Sequence, residues 1–341
     1  MGLNKPAIEI SAGRHNKMSN EQRINFSGDT AGNWKTAVLC GGVGDERQIS
    51  INSGTNVYYA MKEADLKTAL YDIRPDNLEI LDDKGIDVFF LALHGRFGED
   101  GQLQSILEKK SLVYTGSGPK GCRLAFDKME GKKAFAEAGI DTPAAVEYKG
   151  PNDSNEIEKQ LRSLANKYVI KPLRQGSSVG VSIADSTDEA IFSARKTSQE
   201  YGDCLIEEFI TGRELTAAIL CGEPLPIIEI RPKEKFYNYH AKYTDEKTEF
   251  LFDTINDAKL IKKIESAALK CFDALEQRDF ARVDFILADS GRLCALEVNS
   301  IPGLTNHSLL PMAARHAGIS LSEVCIRIIH SAMKRKVQAS V

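Results

Sequence analysis

The chain has 341 residues, room for two or three domains of ordinary size, and its 42% hydrophobic and 27% charged content is that of a globular protein rather than a disordered one. A net charge of -4, from 44 basic and 48 acidic residues spread along the chain, leaves no broad cationic surface and argues against nucleic acid as a partner. No apolar run approaches the length needed to span a bilayer and no hydrophobic secretory segment opens the chain, so a cytoplasmic protein with no membrane partner is expected.

The seven cysteines are odd in number, widely spaced and without a CxxC pair, which reads as reduced, buried thiols. Met1-Gly2 is discounted as a myristoylation start because Pro6 stands where Ser or Thr is required. Residues 1–33 are polar and aperiodic and are read as a flexible extension.

From Trp34 onward strand-like runs alternate with helical patterns: Ala37 to Cys40, a helix after Ser50, Ala69 to Ile73, Val88 to Leu93, and a helix from Leu103. That βαβ rhythm predicts a parallel sheet. GGVGDERQIS lies between the first strand and its helix, but the GxGxxG spacing is not met, so it is no dinucleotide fingerprint. What it offers is Glu46, on a loop at the C-terminal end of a strand, where ligands bind in open α/β sheets.

A helix over about Arg123 to Ala138 opens a second unit with the strand AAVEYK, a helix from Asn155 to Ala165 and the run Tyr168 to Lys171. The candidates SVGVSIA, CLIEEFI and RELTAAILC follow, and the Thr211-Gly212 turn between the last two suggests an antiparallel sheet. In KPLRQGSSVGVS, Lys171 ends an apolar run and precedes a Gly/Ser loop that can turn N–H groups and hydroxyls towards phosphates. It is not a P-loop, and an ordinary hairpin turn accounts for this segment equally well. Lys128, on the preceding helix, is a second candidate cation, though most helical lysines are merely solvated. Pro232 to Asp253 is polar, aperiodic and long, as lids are.

After a helix from Ala258 to Glu276, FARVDFILA and LCALEVNS form a hairpin. A two-residue Asp289-Ser290 turn would set Asp284 opposite Ala295 and Arg282 opposite Glu297. Strand alternation puts Arg282, Asp284, Glu297 and Asn299 on one face, and Val283, Phe285, Leu296 and Val298 on the other. Two carboxylates and an amide oxygen suit Mg2+ completed by phosphate oxygens. A surface Arg282–Glu297 ion pair with solvated neighbours is the competing reading of the same face. Two helices from Ser308 onward complete the chain.

The strings GGVGDERQIS, LALHGRFGEDGQLQ, YTGSG, VIKPLRQGSSVGVS, AKYTDE, FARVDFIL and LEVNSIPGLTNHSLLPMAARHAG, in that order from about Trp34 to the C-terminus, resemble the D-alanine:D-alanine ligase family of the ATP-grasp superfamily. The resemblance implies an α/β, α+β multidomain fold: an N-terminal preATP-grasp domain with a parallel sheet at 34–122, a central ATP-grasp subdomain at 123–212, and a C-terminal ATP-grasp subdomain at 213–341. It implies ATP-dependent formation of D-alanyl-D-alanine through an acyl phosphate, for peptidoglycan precursors, with ATP and D-alanine as small-molecule partners and a homodimer as the assembly.

By the same resemblance Lys128, Lys171 and, from the lid, Lys242 contact phosphates. Glu207 and the backbone near Glu208 and Ile210 hold adenine, and Glu214 takes the ribose. Asp284, Glu297 and Asn299 carry two Mg2+ ions, with Mn2+ as a substitute, and Glu297 bridges them. Arg282 and the Gly303 N–H form the oxyanion hole. Glu46 pairs with the first D-alanine's ammonium beside His94, and Ser177 and Tyr243 join Glu46 in a hydrogen-bonded set. Ser308 and Leu309, at a helix start, take the second substrate's carboxylate.

Gly44, Gln175 and the lack of a proline after TEF depart from the commonest family pattern and bear on how the lid rests and closes. The rivals are a D-alanine:D-serine or D-alanine:D-lactate ligase, against the latter of which Tyr243 argues, another ATP-grasp ligase, and a catalytically silent nucleotide-binding relative.

Overall fold

The computed structural model describes residues 33–150, 154–232 and 248–339. All but the last residue of the 1–33 extension, and both Lys242 and Tyr243, lie outside the described residues.

The first unit is a three-stranded parallel sheet in the order β2 (Thr68–Ile73), β1 (Thr36–Gly41), β3 (Val88–Leu91). All six residues of β1 and all four of β3 are buried, as expected of parallel strands covered on both faces. Helix α1 (Arg47–Glu63) starts earlier than the sequence pattern predicts, directly after Glu46, whose side chain makes no cap bond. The usual start signal is therefore missing from the sequence. Helix α2 (Gln102–Lys109) follows as expected.

The helix predicted over 123–138 is two, α3 (Pro119–Phe126) and α4 (Lys128–Glu137). Asp127 breaks the run by leaving the helical region, and its carboxylate accepts the Met129 and Glu130 N–H groups as the cap of α4. Next comes a four-stranded antiparallel sheet in the order β4 (Ala145–Tyr148), β7 (Cys204–Glu208), β5 (Tyr168–Pro172), β6 (Ser182–Ala184). One face of it packs on α5 (Ser154–Leu164) and α6 (Thr187–Tyr201) through Tyr148, Leu161, Ile170, Ala190 and Ile206. Helix α6 carries a start signal the sequence reading passed over: Ser186 accepts the Glu189 N–H while Glu189 accepts the N–H of Asp185.

The third sheet runs β11 (Glu249–Leu251), β10 (Ile228–Arg231), β8 (Gly212–Leu220), β12 (Phe280–Ala288), β13 (Leu293–Asn299), with β9 (Glu223–Pro224) beside β8. Thr211-Gly212 is therefore not a hairpin turn. Strand β7 pairs with β4 and β5 while β8 pairs with β10 and β12, so this short link carries the chain from one sheet to the other. The end of the predicted lid segment is also corrected, because residues 249–251 add strand β11 to the sheet.

One face of this sheet, from Leu215 and Ala217 on β8 to Val283, Phe285 and Val298, packs on α4 and on α7 (Ala258–Ala274). The opposite face, through Ala218, Ile228 and Phe280, shares a core with the first unit, α8 (Leu309–His316) and α9 (Leu321–Ala339). Six cysteines are buried; Cys221, at the β8–β9 turn, is exposed, contrary to the reading of the thiols as core residues.

The hairpin register differs from the two-residue-turn expectation. Ala288 donates to the Arg292 carbonyl and Gly291 donates to Ala288, which closes a loop over Asp289, Ser290 and Gly291, with Gly291 at φ +82. An Asp-Ser turn alone cannot supply that left-handed residue, so the glycine extends the loop by one. The partners become Arg282 with Asn299 and Asp284 with Glu297, and a bulge follows Asp284. Leu296 is corrected as a result: the extra residue on β13 sets it against the cavity lined by Ile286, away from Val283 and Phe285. The polar face itself survives the shift, and its four residues line one cavity.

Candidate active site

Two cavities meet on the polar face of the third sheet. The first, of about 490 Å3, lies between the four-stranded and third sheets, with walls of Val169, Val181, Ile210, Ile286 and Leu296. The second, of about 670 Å3, lies between the first unit and the third sheet, where Glu46 and His94 face Arg282, Asn299, Gly303 and Ser308. Lys128, Gln175, Glu214, Ile230, Asp284 and Glu297 line both. A ligand in either cavity can thus reach the other at that junction.

In the first cavity strand pairing sets Glu207 on β7 opposite Val169 and Ala145, and only 2% of it is exposed. Its carboxylate lies between two ammonium groups: Lys171 on β5 at one oxygen and Lys132 on α4 at the other, the latter at 2.9 Å. Burial works against the Glu207 charge, but the two lysines outweigh it and hold its pKa below the usual carboxylate range. Burial also opposes the charge of Lys171, and Glu207, Glu297 and Glu214 around it prevail and raise its pKa. The Glu208 carboxylate is turned to the Ala144 N–H and to Arg292, at 3.0 and 2.8 Å, which leaves a backbone contact as what this residue offers the cavity.

At the junction, Lys128 donates to the Gln175 carbonyl at 2.6 Å and stands 3.6 Å from Glu297. The Gly/Ser loop is both things the sequence allowed: it joins antiparallel β5 and β6, and it faces the cavities through Gln175, Gly176, Ser177 and Ser178. Ser177 and Ser178 have φ of +54 and +58, a left-handed conformation that non-glycine residues adopt at a cost, and one that clusters at functional sites. Ser177 donates to Glu46 at 2.5 Å and so ties this loop to the first unit; Tyr243, the third member expected there, lies outside the described residues.

Arg282 pairs with Asp284 rather than with Glu297, through Nε and Nη2 at 2.9 and 2.8 Å, and Thr216 on β8 adds a 2.6 Å bond to the same carboxylate. With side-chain exposures of 12% and 9% this is not the surface ion pair the sequence left open. The Asn299 Oδ1 is buried with no hydrogen-bond partner among the described residues. A buried acceptor without a donor is costly, and beside the Asp284 and Glu297 carboxylates it is the kind of oxygen a hard cation takes. The donor set therefore fits Mg2+.

In the second cavity His94 lies 2.9 Å from Ser53, and burial lowers its pKa to about 4, so the ring is neutral near pH 7. Ser53 also accepts the Leu304 N–H, and Asn56 donates to the Leu304 carbonyl at 2.6 Å. Glu99 accepts the N–H groups of Gly95 and Ile301, at 2.7 and 3.2 Å, and burial together with nearby Glu46 pushes its pKa up to about 8. These contacts seat the 301–304 loop against α1 and against the loop that follows β3. A Cβ on Gly303 would lie 2.6 Å from the Ser308 Oγ, so only glycine fits beside that hydroxyl. Ser308 is the N-cap of α8, its Oγ held by the Thr305 N–H and hydroxyl, and the first-turn N–H groups from Leu309 onward have no acceptor within the helix.

The structure thus gathers Glu46, His94, Ser177, Arg282, Gly303, Ser308 and Leu309 around one cavity, and Lys128, Lys171, Glu207, Glu208, Ile210 and Glu214 around the other. Sequence reasoning missed Lys132, Thr216, Ser53, Asn56 and Glu99. Lys132 was signalled by standing four residues from Lys128 on one helix face, and Thr216 by its alternation with Glu214 on a strand.

Models of two families match: "D-ala D-ala ligase C-terminus" over residues 135–330 and "D-ala D-ala ligase N-terminus" over 76–117. The chain is 39% identical over 303 residues to a D-alanine–D-alanine ligase of Syntrophotalea carbinolica, covering 89% of this chain and 97% of that one. Among solved structures it resembles a D-alanine–D-alanine ligase from Bacillus anthracis complexed with ATP, with TM-score 0.79, 34% identity, and coverage of 90% of this chain and 99% of that one. It also resembles the VanG D-Ala:D-Ser ligase from Enterococcus faecalis, with TM-score 0.76, 26% identity, and 88% and 99% coverage.

Proposed function

The chain belongs to the D-alanine–D-alanine ligase family, with its ATP-grasp fold, and from that premise we infer that it is an ATP-dependent ligase joining two D-alanine molecules for peptidoglycan precursor synthesis. The observation that carries this reading is the junction of the two cavities at Lys128, Asp284 and Glu297, where a nucleotide's terminal phosphate and an amino acid's carboxylate can meet.

In the proposed reaction the nucleotide occupies the cavity between the two antiparallel sheets. Glu207 and the backbone at Glu208 and Ile210 hold adenine, Glu214 takes the ribose hydroxyls, and Lys128 and Lys171 bind phosphate oxygens, joined by Lys242. Asp284, Glu297 and Asn299 would hold Mg2+, two ions with Mn2+ as a substitute, and the metal would supply charge neutralisation of the triphosphate.

Glu46, oriented by Ser177 and Tyr243, receives the ammonium of the first D-alanine beside the neutral His94. The carboxylate of that substrate attacks the γ-phosphorus, ADP leaves, and D-alanyl phosphate forms. Ser308 and the Leu309 N–H take the carboxylate of the second D-alanine, whose amine attacks the acyl carbon. Arg282 and the Gly303 N–H take the negative charge of the tetrahedral centre, which collapses with loss of phosphate and of the amine's extra proton.

The three-part division at 34–122, 123–212 and 213–341, the cytoplasm as the compartment and a homodimer as the assembly remain proposals that rest on the family resemblance. Incubation with ATP, Mg2+ and D-alanine should release phosphate and dipeptide in equal amounts. No phosphate release overturns the ligase reading, and release stimulated more by D-serine or D-lactate reassigns the second substrate.

A further inference from the structure

We propose that Lys132, four residues from the phosphate-facing Lys128 on α4, is a positioning residue that sets the base preference of the nucleotide site by fixing the orientation of the Glu207 carboxylate. The inference rests on the reading of Glu207 as the acceptor for adenine's exocyclic amine.

Glu207 ends the first cavity with a carboxylate that is almost wholly buried and has a lysine at each oxygen. The two lysines are held differently. Lys171 lies on β5, lines the cavity, and is also drawn by Glu297 and Glu214 towards the phosphate side. Lys132 does not line the cavity. Its ammonium donates to the Thr142 hydroxyl at 2.9 Å and to the Pro143 carbonyl at 2.8 Å, and forms an ion pair with Glu207 at 2.9 Å. The two hydrogen bonds hold the ammonium in place beside the carboxylate, independently of the cavity.

Lys132 is consequently the rigid anchor and Lys171 the competing attraction. With both present the carboxylate cannot rotate towards either, and it presents an acceptor edge to the base. A purine with an amine at that position donates to the carboxylate, whereas one with a carbonyl there sets two acceptors against each other in a desolvated place, an arrangement that discriminates strongly. Without Lys132 the carboxylate follows Lys171, and the base loses its reader while the phosphate contacts stay.

The test compares ATP with inosine triphosphate, which has a carbonyl in place of the amine. In wild type kcat/KM should favour ATP strongly. In Lys132→Met this preference should fall about tenfold or more, through a higher KM for ATP with kcat within about threefold, because the phosphates and the reacting groups are untouched. Thr142→Val, which removes one anchor and leaves the ammonium, should give a smaller fall in the same direction. It keeps the proposal testable if Lys132→Met does not fold, and binding of ADP against IDP gives the same ratio without turnover. An equal loss for both nucleotides in either variant overturns the positioning role and leaves Lys132 a structural residue. A wild type that does not discriminate between the nucleotides overturns the underlying reading of Glu207 itself.

Discussion

The two ends of the cleft are built by different means. The end proposed for the nucleotide is made largely of strand residues from two sheets, apolar along its walls and closed by the Lys171–Glu207–Lys132 group. The end proposed for the amino acids is made of loop and helix-terminal residues, Glu46, His94, Gly303 and Ser308, where Ser53 and Asn56 of α1 hold Leu304, and Glu99 holds Ile301. Strand register fixes the first end locally, so a substitution there changes what is bound. The second end exists only while two units are docked, so a substitution in the docking contacts changes how the reactants are aligned.

The largest effect should come where the ends meet. Glu297→Ala removes a carboxylate from the junction and should lower kcat/KM by about a thousandfold or more. The melting temperature should stay within a few degrees, because the side chain is 31% exposed and packs no core. A coupled phosphate assay and thermal denaturation check both, and a variant that keeps a tenth of wild-type activity breaks the junction as the meeting point. Next is Gly303→Ala, whose Cβ would approach the Ser308 Oγ to 2.6 Å. Steady-state kinetics should show about a ten- to hundredfold loss, read mainly against the second D-alanine and not against ATP.

Asn56→Ala should have a milder effect. It deletes a 2.6 Å bond to the Leu304 carbonyl without touching either cavity's charged groups. A fall in kcat of about three- to tenfold with an unchanged KM for ATP is the signature of a misaligned amino-acid end. A matching rise in the KM for ATP would mean that the two ends are not separable in the way their construction suggests.

The same contrast governs what was legible in the sequence. Residues of the third sheet's polar face follow period-two alternation, so Arg282, Asp284, Glu297 and Asn299 could be assigned to one face even though the register was displaced by a glycine turn and a bulge. Their partners across strands were not legible: Thr216 reaches Asp284 from a strand 68 residues away, which no local pattern shows. The amino-acid end carried no periodic signal, and Glu46, His94 and Ser308 were found only through strings resembling a family. Glu99 sits inside one of those strings, yet its role depends on a backbone contact 202 residues away. The Thr211-Gly212 link shows the opposite failure, since a short connection suggested pairing between strands that in fact enter different sheets.

An effect on stability and not on rate is the pH dependence of His94 and Glu99, two buried titratable groups of the second cavity. The unfolded His94 ring takes up a proton below about 6.5, whereas in the fold burial lowers its pKa to about 4. The unfolded chain therefore binds the extra proton first, so the stability His94 contributes is full above about 6.5 and is lost as pH falls towards 4, by at most about 3 kcal/mol. Glu99 works the other way. Its folded pKa near 8 against an ordinary 4.5 makes its contribution largest at low pH and lost as pH rises through 8. Over the shared window from 4.5 to 6.5 the slopes of these two groups oppose and largely offset each other. His94→Gln, which keeps a polar group facing Ser53, removes only the rising slope. Urea midpoints of this variant should therefore increase as pH is lowered from 6.5 to 5, relative to wild type. A variant that follows the wild-type curve would show that the ring takes up its proton equally in the folded and unfolded chain, and the burial effect on His94 would have to be given up.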